Sequence, residues 1–154
     1  MRLKQEIKQK KPFTSVQEEV LLSLQRTADQ LATPMHEVLR RANLSSSQYN
    51  VLRILRGSAG EPLPCGEISD RMIRRDPDLT RLLDRLESRG LVTRTRGVDD
   101  RRVVRAEITK EGLSLLKSLD GAVEESVKKA LAHVPVARLK VLLEILDEAR
   151  GTPA

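Results

Sequence analysis

Apolar side chains recur every three to four residues along most of the chain, which is the spacing of amphipathic helices. The first helix is expected to begin near Ser15, which forms a capping-box pattern with Glu18, and to reach Arg41. Pro34 is expected to kink or break this helix, because proline removes a backbone donor. Residues 1–12 lack the pattern and are expected to form a free tail. The apolar positions of the helix are Val20, Leu21, Leu24, Ala28 and Leu31.

Two shorter helices are predicted next. Ser45 and Gln48 form a second capping-box pattern, and the helix that they open should end at Gly57. A loop with two prolines follows, and then a short helix. The apolar residues assigned to that short helix are Ile68, Met72 and Ile73.

A fourth helix is expected from Pro77 to about Arg89, with Asp76 as its cap and Gly90 at its end. Placed about 100° apart, its residues divide into an apolar and a polar face. The apolar stripe consists of Leu79, Leu82, Leu83 and Leu86. The opposite face is centred on Pro77, Arg81, Asp84 and Ser88, with Asp78, Thr80 and Arg85 on its flanks. A short helix, a tight turn and this helix make a helix-turn-helix candidate.

A β-hairpin is predicted after the fourth helix. LVTRTR reads as a strand, GVDD as a turn, and RVVRAEI as a returning strand with Val104, Ala106 and Ile108 on one face. Thr109 can cap a long helix through Val134, and a last helix runs from about Val136 to Arg150. The expected fold is therefore mainly α with a small β-wing, a winged helix-turn-helix.

Composition limits the class of protein. With 154 residues, 39% hydrophobic and 32% charged, the chain is expected to be one domain that can complete its core by dimerising. No apolar run approaches the roughly 20 residues of a transmembrane helix, and the N-terminus has no apolar signal region. A single cysteine cannot form an internal disulfide, which fits a cytoplasmic protein.

The charge is concentrated in the middle of the chain. The formal net charge is +6, and every basic residue from Arg71 to Arg105 is an arginine, whose planar fork pairs with phosphate or guanine. One tyrosine and one phenylalanine are too few aromatics for stacking on single-stranded nucleic acid. The predicted partner is therefore duplex DNA.

The sequence resembles the MarR family of bacterial transcription regulators. The resemblance spans about residues 44–112 and rests on LSSSQYNVLRIL, EISDRM, LTRLLDRLESRGLVTR, and a wing signature formed by Asp100, Arg102, Ile108 and Thr109. It implies a single domain over residues 1–154, with a DNA-binding lobe at about 45–110 and dimerisation helices at about 14–41 and 110–150. It also implies a homodimer on a pseudo-palindromic operator, often released by a small ligand or an oxidant.

The resemblance also assigns residue roles. Arg81 with Asp78, Thr80 and Arg85 would read the major groove, Arg102 would enter the minor groove, and Asp100 would hold Arg102. Docking costs a free arginine side-chain entropy, which a neighbouring carboxylate can reduce beforehand. The expected DNA-binding residues are Arg74, Arg75, Asp78, Thr80, Arg81, Arg85, Arg94, Arg96, Asp100, Arg101 and Arg102.

Several residues have two interpretations. Three other arginines either touch DNA or form ion pairs within the protein, namely Arg71 with Asp70, Arg89 with Glu87, and Arg105 with Glu107. Cys65 lies at a helix N-terminus that could lower its pKa, but an unreactive, partly buried thiol is favoured over a redox sensor. His36 and His133 have no partner at metal-ligand spacing, so neither a metal nor another cofactor is expected.

Four functional classes are considered. A sequence-specific regulator, expected to be a ligand-responsive repressor, is favoured. The alternatives are a non-specific architectural DNA-binding protein, which would bind any duplex equally, and a winged-helix adaptor that does not bind DNA. An enzyme is disfavoured because no phosphate loop, catalytic triad or paired catalytic carboxylates stand out.

Overall fold

The computed structural model describes residues 3–97 and 102–151. The elements within these ranges are α1 (Leu3–Glu6), α2 (Val16–Arg41), α3 (Ser46–Gly57), β1 (Leu63–Pro64), α4 (Cys65–Arg71), α5 (Leu79–Ser88), β2 (Val92–Arg96), β3 (Val104–Ile108), α6 (Lys110–Leu131) and α7 (Val136–Ala149). The predicted fold, mainly α with a small β-wing, is confirmed. No helix of the described part is both long and apolar enough to span a membrane.

The first helix differs from the prediction in two respects. Pro34 lies inside α2, so the predicted break is absent, whereas a kink at Pro34 stays a prediction; one missing backbone donor is tolerated within 26 helical residues. Ser15 caps the helix by accepting from the backbone N–H of Glu18 at 3.1 Å. The Glu18 carboxylate, however, accepts from the backbone N–H of Thr14 at 2.6 Å and from the Thr14 hydroxyl at 2.7 Å. The reciprocal bond of the predicted capping box, from the Ser15 backbone N–H to Glu18, is therefore absent.

The tail expected to be free is partly ordered. Residues Leu3–Glu6 form α1, in which Leu3 is buried, and Glu6 lies 4.0 Å from Arg26 of α2. Burial of the apolar Leu3 side chain favours this ordering, because it opposes part of the entropy cost of fixing a short helix.

The capping box at Ser45 is confirmed, with both reciprocal hydrogen bonds present. The short helix α4, in contrast, ends at Arg71, so the predicted inclusion of Met72 and Ile73 is wrong. Met72 is buried after the helix, whereas Ile73 is 88% exposed. The Ile73 backbone N–H donates to the Asn50 side chain at 2.9 Å instead of continuing the helix.

Helix α5 begins two residues later than predicted. Asp78, not Asp76, is its N-cap and accepts from the Arg81 backbone N–H at 3.2 Å. Asp76 accepts from the backbone N–H of Asp78 at 3.0 Å and so shapes the turn before the helix. The end is as predicted, because Gly90 adopts a φ of 69° and closes the helix with a bond from its N–H to Glu87 O of 2.8 Å.

The wing belongs to a sheet with one more strand than the predicted hairpin. Its order is β1-β3-β2, with both pairs antiparallel. The loop predicted around Pro62 and Pro64 contains the two-residue strand β1, in which Pro64 is tolerated because β1 is an edge strand. Val92 pairs with Ile108 at the base of the hairpin. The hairpin tip, residues 98–101, lies outside the described residues.

Packing divides the chain into two compact units. One spans His36–Glu124 and contains every buried apolar side chain of the described residues except Leu3. The predicted DNA-binding lobe, residues 45–110, lies within it. The other unit contains the described residues up to Met35 and from Glu125 onward. Its helix α7 has no buried residue. The fully buried side chains of the first unit include Leu52, Leu55, Ile68, Leu83 and Leu86.

Candidate nucleic-acid interface

The helix-turn-helix is formed by α4, the turn at residues 72–78, and α5. Leu82, Leu83 and Leu86 of α5 are buried in the core. Because a helix buries one stripe, this packing turns Arg81 and Arg85 outward, and both are exposed. The hydrogen bond from Ile73 N–H to Asn50 ties the start of the turn to α3.

Several predicted DNA-binding arginines are exposed and unengaged. Their guanidinium groups form no hydrogen bond or ion pair with any residue in 3–97 or 102–151. They are Arg74 in the turn, Arg81 and Arg85 on α5, and Arg96 at the end of β2. Arg75 is exposed as well, but it pairs with Asp70 at 2.9 Å. The unengaged groups can reach an anion without first breaking a contact in the protein.

Asp78 and Thr80, the other predicted readers on α5, are also exposed. The Asp78 carboxylate caps the helix through the Arg81 backbone N–H. It thereby orients the first turn of α5, on which Arg81 lies. A DNA contact by Asp78 or Thr80 stays a prediction.

Arg94 on β2 is held by two carboxylates of α5. Its Nη2 lies 2.5 Å from Asp84 Oδ1 and 2.6 Å from Glu87 Oε2. Its Nε also donates to Glu87 Oε2, and its backbone N–H donates to Glu87 Oε1, both at 3.0 Å. The Arg94 side chain is only 22% exposed. The guanidinium is therefore occupied within the protein, which the sequence pattern did not show.

These contacts shift two acid–base equilibria. The hydrogen bond from the Arg94 side chain is the main cause that lowers the pKa of Glu87, and the reciprocal bond is the main cause that raises the pKa of Arg94. Both shifts favour the charged forms. The cluster formed by Arg94, Asp84 and Glu87, hereafter the Arg94 cluster, joins the recognition helix to the wing strand.

The wing residues are described in part. Arg102 is exposed and lies before β3. It makes an interaction within the protein. Asp100 and Arg101, also predicted to bind or support DNA binding, lie outside the described residues, so the pairing of Asp100 with Arg102 stays a prediction.

The three arginines that had two interpretations all have partners within the protein. The partners of Arg89 and Arg105 are backbone carbonyls, however, and not the predicted carboxylates. Arg71 pairs with Glu67 rather than Asp70. Arg89 donates to the backbone carbonyls of Asn43 at 2.6 Å and Ala42 at 3.0 Å. Arg105 reaches the Pro62 carbonyl at 3.4 Å. The carbonyl acceptors of Arg89 and Arg105 are brought close by the fold, and a backbone carbonyl cannot be recognised from the pattern of charged residues.

Cys65 is the first residue of α4 and is partly buried. Desolvation by burial raises the pKa of its thiol and outweighs the opposing effects of Arg94 and a backbone hydrogen bond. Burial thus favours the protonated thiol, which supports the interpretation of Cys65 as an unreactive residue. Among the residues that the structure describes, no group of three potential metal ligands comes together.

Comparisons with known proteins identify the family. The MarR family model matches residues 44–104. A solved MarR transcription factor from Planctomyces limnophilus is 39% identical, with coverage of 88% of this chain and 98% of that one and a TM-score of 0.69. The homoprotocatechuate degradative operon repressor of Escherichia coli is 29% identical over 111 residues, 72% of this chain and 74% of the repressor.

A third relative is a solved complex. NadR with 4-hydroxyphenylacetate is 26% identical, with coverage of 90% of this chain and 97% of that one and a TM-score of 0.70. The Planctomyces limnophilus and Escherichia coli relatives are thus named as a transcription factor and a repressor, and the family model matches the region that presents Arg81 and Arg85. The chain belongs to the MarR family of DNA-binding transcription regulators.

Proposed function

We propose that the protein is a ligand-responsive repressor that binds a pseudo-palindromic operator as a homodimer. The observation that carries the proposal is the outward face of α5, where Arg81 and Arg85 are exposed and make no side-chain contact within the described residues. Arg81 lies in the first turn of α5, the part of a recognition helix that contacts bases. Its guanidinium can pair bidentately with guanine.

Different arginines have different tasks in this proposal. Arg74, Arg75 and Arg96 flank α5 and bind phosphates, which positions the helix without reading sequence. Arg102, with Arg101, binds at the minor groove, where negative potential favours arginine. Residues 45–110 form the DNA-binding lobe, and residues 14–41 and 110–150 form the dimerisation helices.

The apolar surface of the terminal helices supports the homodimer. On α7, Val136 is 70% exposed, Leu143 61% and Ile145 54%, and on α2 Leu21 is 57% exposed. Burying exposed apolar side chains such as these against a second copy of the chain would remove apolar surface from water, which favours association. We expect light scattering to give a dimer at micromolar concentration, and a well-folded monomer would contradict the proposal. Two recognition helices would then meet successive major grooves about 34 Å apart.

Ligand response is supported by relatives. NadR has been crystallised with 4-hydroxyphenylacetate, and the Escherichia coli relative is named for a homoprotocatechuate operon. Both compounds are aromatic acids, so this class is the first to test. Adding 4-hydroxyphenylacetate to the protein–operator complex should release the DNA. If the complex persists at saturating concentrations of this and related acids, the protein does not respond to aromatic acids. The proposal that it binds an operator would not be affected.

The main experiment combines selection of DNA fragments from the source genome with two matched variants. Arg81→Ala and Arg74→Ala remove the same charge. Arg81→Ala should cost about 1–3 kcal/mol on the selected operator and much less on random duplex, because a base contact is lost. Arg74→Ala should weaken both DNAs and lower the salt slope by about one unit, because a phosphate contact is lost.

The same measurements test the alternative functions. Equal affinity of the wild-type protein for the selected and random duplexes would favour a non-specific architectural protein. Undetectable binding at low salt would favour an adaptor. Equal losses for Arg81→Ala on both DNAs would make Arg81 a phosphate contact.

A further inference from the structure

The outward face of α5 contains an acid next to its main reading residue. Asp84 lies three positions after Arg81, and its side chain is 54% exposed. Residues three apart on a helix are neighbours, with about 5–6 Å between their Cβ atoms. A free Asp84 would therefore be within reach of the Arg81 guanidinium. An Asp84–Arg81 pair would compete with DNA for the same donors.

In the structure Asp84 is engaged elsewhere. Arg94 Nη2 lies 2.5 Å from Asp84 Oδ1, whereas the Arg81 guanidinium has no partner in residues 3–97 or 102–151. An arginine binds a carboxylate more strongly when its own position is fixed, because less side-chain entropy is lost. Arg94 lies on β2, so its position is fixed by a strand outside α5.

Glu87 fixes Arg94. Its two carboxylate oxygens accept from the backbone N–H, Nε and Nη2 of Arg94, at 3.0, 3.0 and 2.6 Å. The strand itself is anchored, since Arg94 pairs with Ala106 of β3. Glu87 thus holds the guanidinium in place, and Nη2 is directed to Asp84. The two carboxylates have different tasks although they carry the same charge.

We propose that Arg94 is a positioning residue that sequesters Asp84 and thereby keeps the Arg81 guanidinium available to DNA. This inference rests on the proposed function, in which Arg81 reads bases. Without Arg94, Asp84 pairs with Arg81 along the helix, and base recognition declines. The defect is one of sequence preference, because phosphate contacts by Arg74 and Arg96 do not depend on Asp84.

The experiment measures the ratio of operator affinity to random-duplex affinity, which a uniform loss of charge or of folded protein leaves unchanged. Arg94→Ala should lower this ratio about tenfold or more, as expected for a lost bidentate base contact. Adding Asp84→Asn should restore it to within about twofold of the wild-type value, the usual additivity error. Adding Glu87→Gln instead should not restore it.

The two double variants are matched controls. Both remove one carboxylate beside the missing guanidinium, so both have the same net charge. Equal rescue by Asp84→Asn and Glu87→Gln would reduce the effect to general electrostatics and overturn the proposal, as would rescue by neither. In an Arg81→Ala background, Arg94→Ala should lower the ratio no further, and a further tenfold fall would also overturn the proposal.

Two variants keep the proposal testable if Arg94→Ala does not fold by circular dichroism. Asp84→Asn alone should leave the ratio within about twofold of wild type, because Asp84 is already engaged. A large increase would show that Asp84 opposes binding in the native protein and would overturn the proposal. Arg94→Lys keeps the charge but lacks the fork that spans both carboxylates. Arg94→Lys should lower the ratio of operator affinity to random-duplex affinity, and adding Asp84→Asn to this variant should restore the ratio.

Failure of the proposed function has a separate signature. If wild-type protein binds selected and random duplexes equally, the repressor proposal fails before any variant is made. If the wild-type ratio is high and Asp84→Asn does not rescue Arg94→Ala, only the role of Arg94 is wrong.

Discussion

Replacing Gly112 by alanine adds one methyl group at the start of α6 and is expected to destabilise the unit His36–Glu124. It lies in the first turn of α6, buried against the segment that follows the recognition helix. A Cβ built at Gly112 would overlap the backbone carbonyl oxygen of Leu91 and lie 2.7 Å from Ile108 Cγ1. Carbon atoms in favourable contact are about 3.5–4.0 Å apart, so the start of α6 must move by about 1 Å.

That movement disturbs hydrogen bonds centred on Thr109. Its backbone N–H donates to Leu91 O at 3.1 Å, and its hydroxyl donates to Gly90 O at 2.7 Å. Overpacking costs about 1–3 kcal/mol and each weakened hydrogen bond about 1 kcal/mol. The higher helix propensity of alanine offsets about 1 kcal/mol of this destabilisation. Gly112→Ala should therefore lower the free energy of unfolding by about 1–4 kcal/mol.

Gly121 in the same helix provides the control. It is exposed, and a Cβ there would meet nothing within 4 Å among the described residues. Gly121→Ala should therefore raise the free energy of unfolding by about 0.5–1 kcal/mol through helix propensity alone. Urea unfolding followed by circular dichroism, at one protein concentration for all variants, measures both changes. A Gly112→Ala protein as stable as wild type, or equal losses at both glycines, would refute the steric argument.

Other predictions concern a thiol, a carboxylate and the wing. Cys65 should react with iodoacetamide at neutral pH more slowly than free cysteine, because burial raises its pKa; equal rates would contradict this. Arg94 lowers the pKa of Glu87, so the stability that Glu87 provides is present above its unfolded pKa of about 4.3 and is lost as pH falls below it. The stability difference between wild type and Glu87→Gln should thus narrow on acidification from about pH 6 to pH 3, and a constant difference would argue against the ion pair. Asp100→Ala should weaken operator binding and Asp99→Ala should not, with no further loss from Asp100→Ala once Arg102 is alanine; tighter binding by Asp100→Ala would exclude a supporting role.

Features that depend on neighbours in sequence were predictable. The capping box at Ser45 and the C-terminal glycine of α5 involve groups three to five residues apart, so the residues that form them are visible together in the sequence. The apolar stripe of α5 was predictable for the same reason, since helical periodicity relates residues within two turns. These local patterns, with their order, were enough to indicate a winged helix-turn-helix and duplex DNA as partner.

Features that depend on distant partners were not predictable. β1 is too short for a strand pattern and exists because Leu63 pairs with Ala106. The Arg89 side chain binds carbonyls 46 and 47 residues earlier in the chain. The engagement of Arg94 by Asp84 and Glu87 is also decided by packing, because β2 must first lie against α5. The sequence alone determined which side chains carry charge, and the tertiary structure decided which of those charges are already paired and which remain open to DNA, since pairing depends on distances that only the folded chain sets.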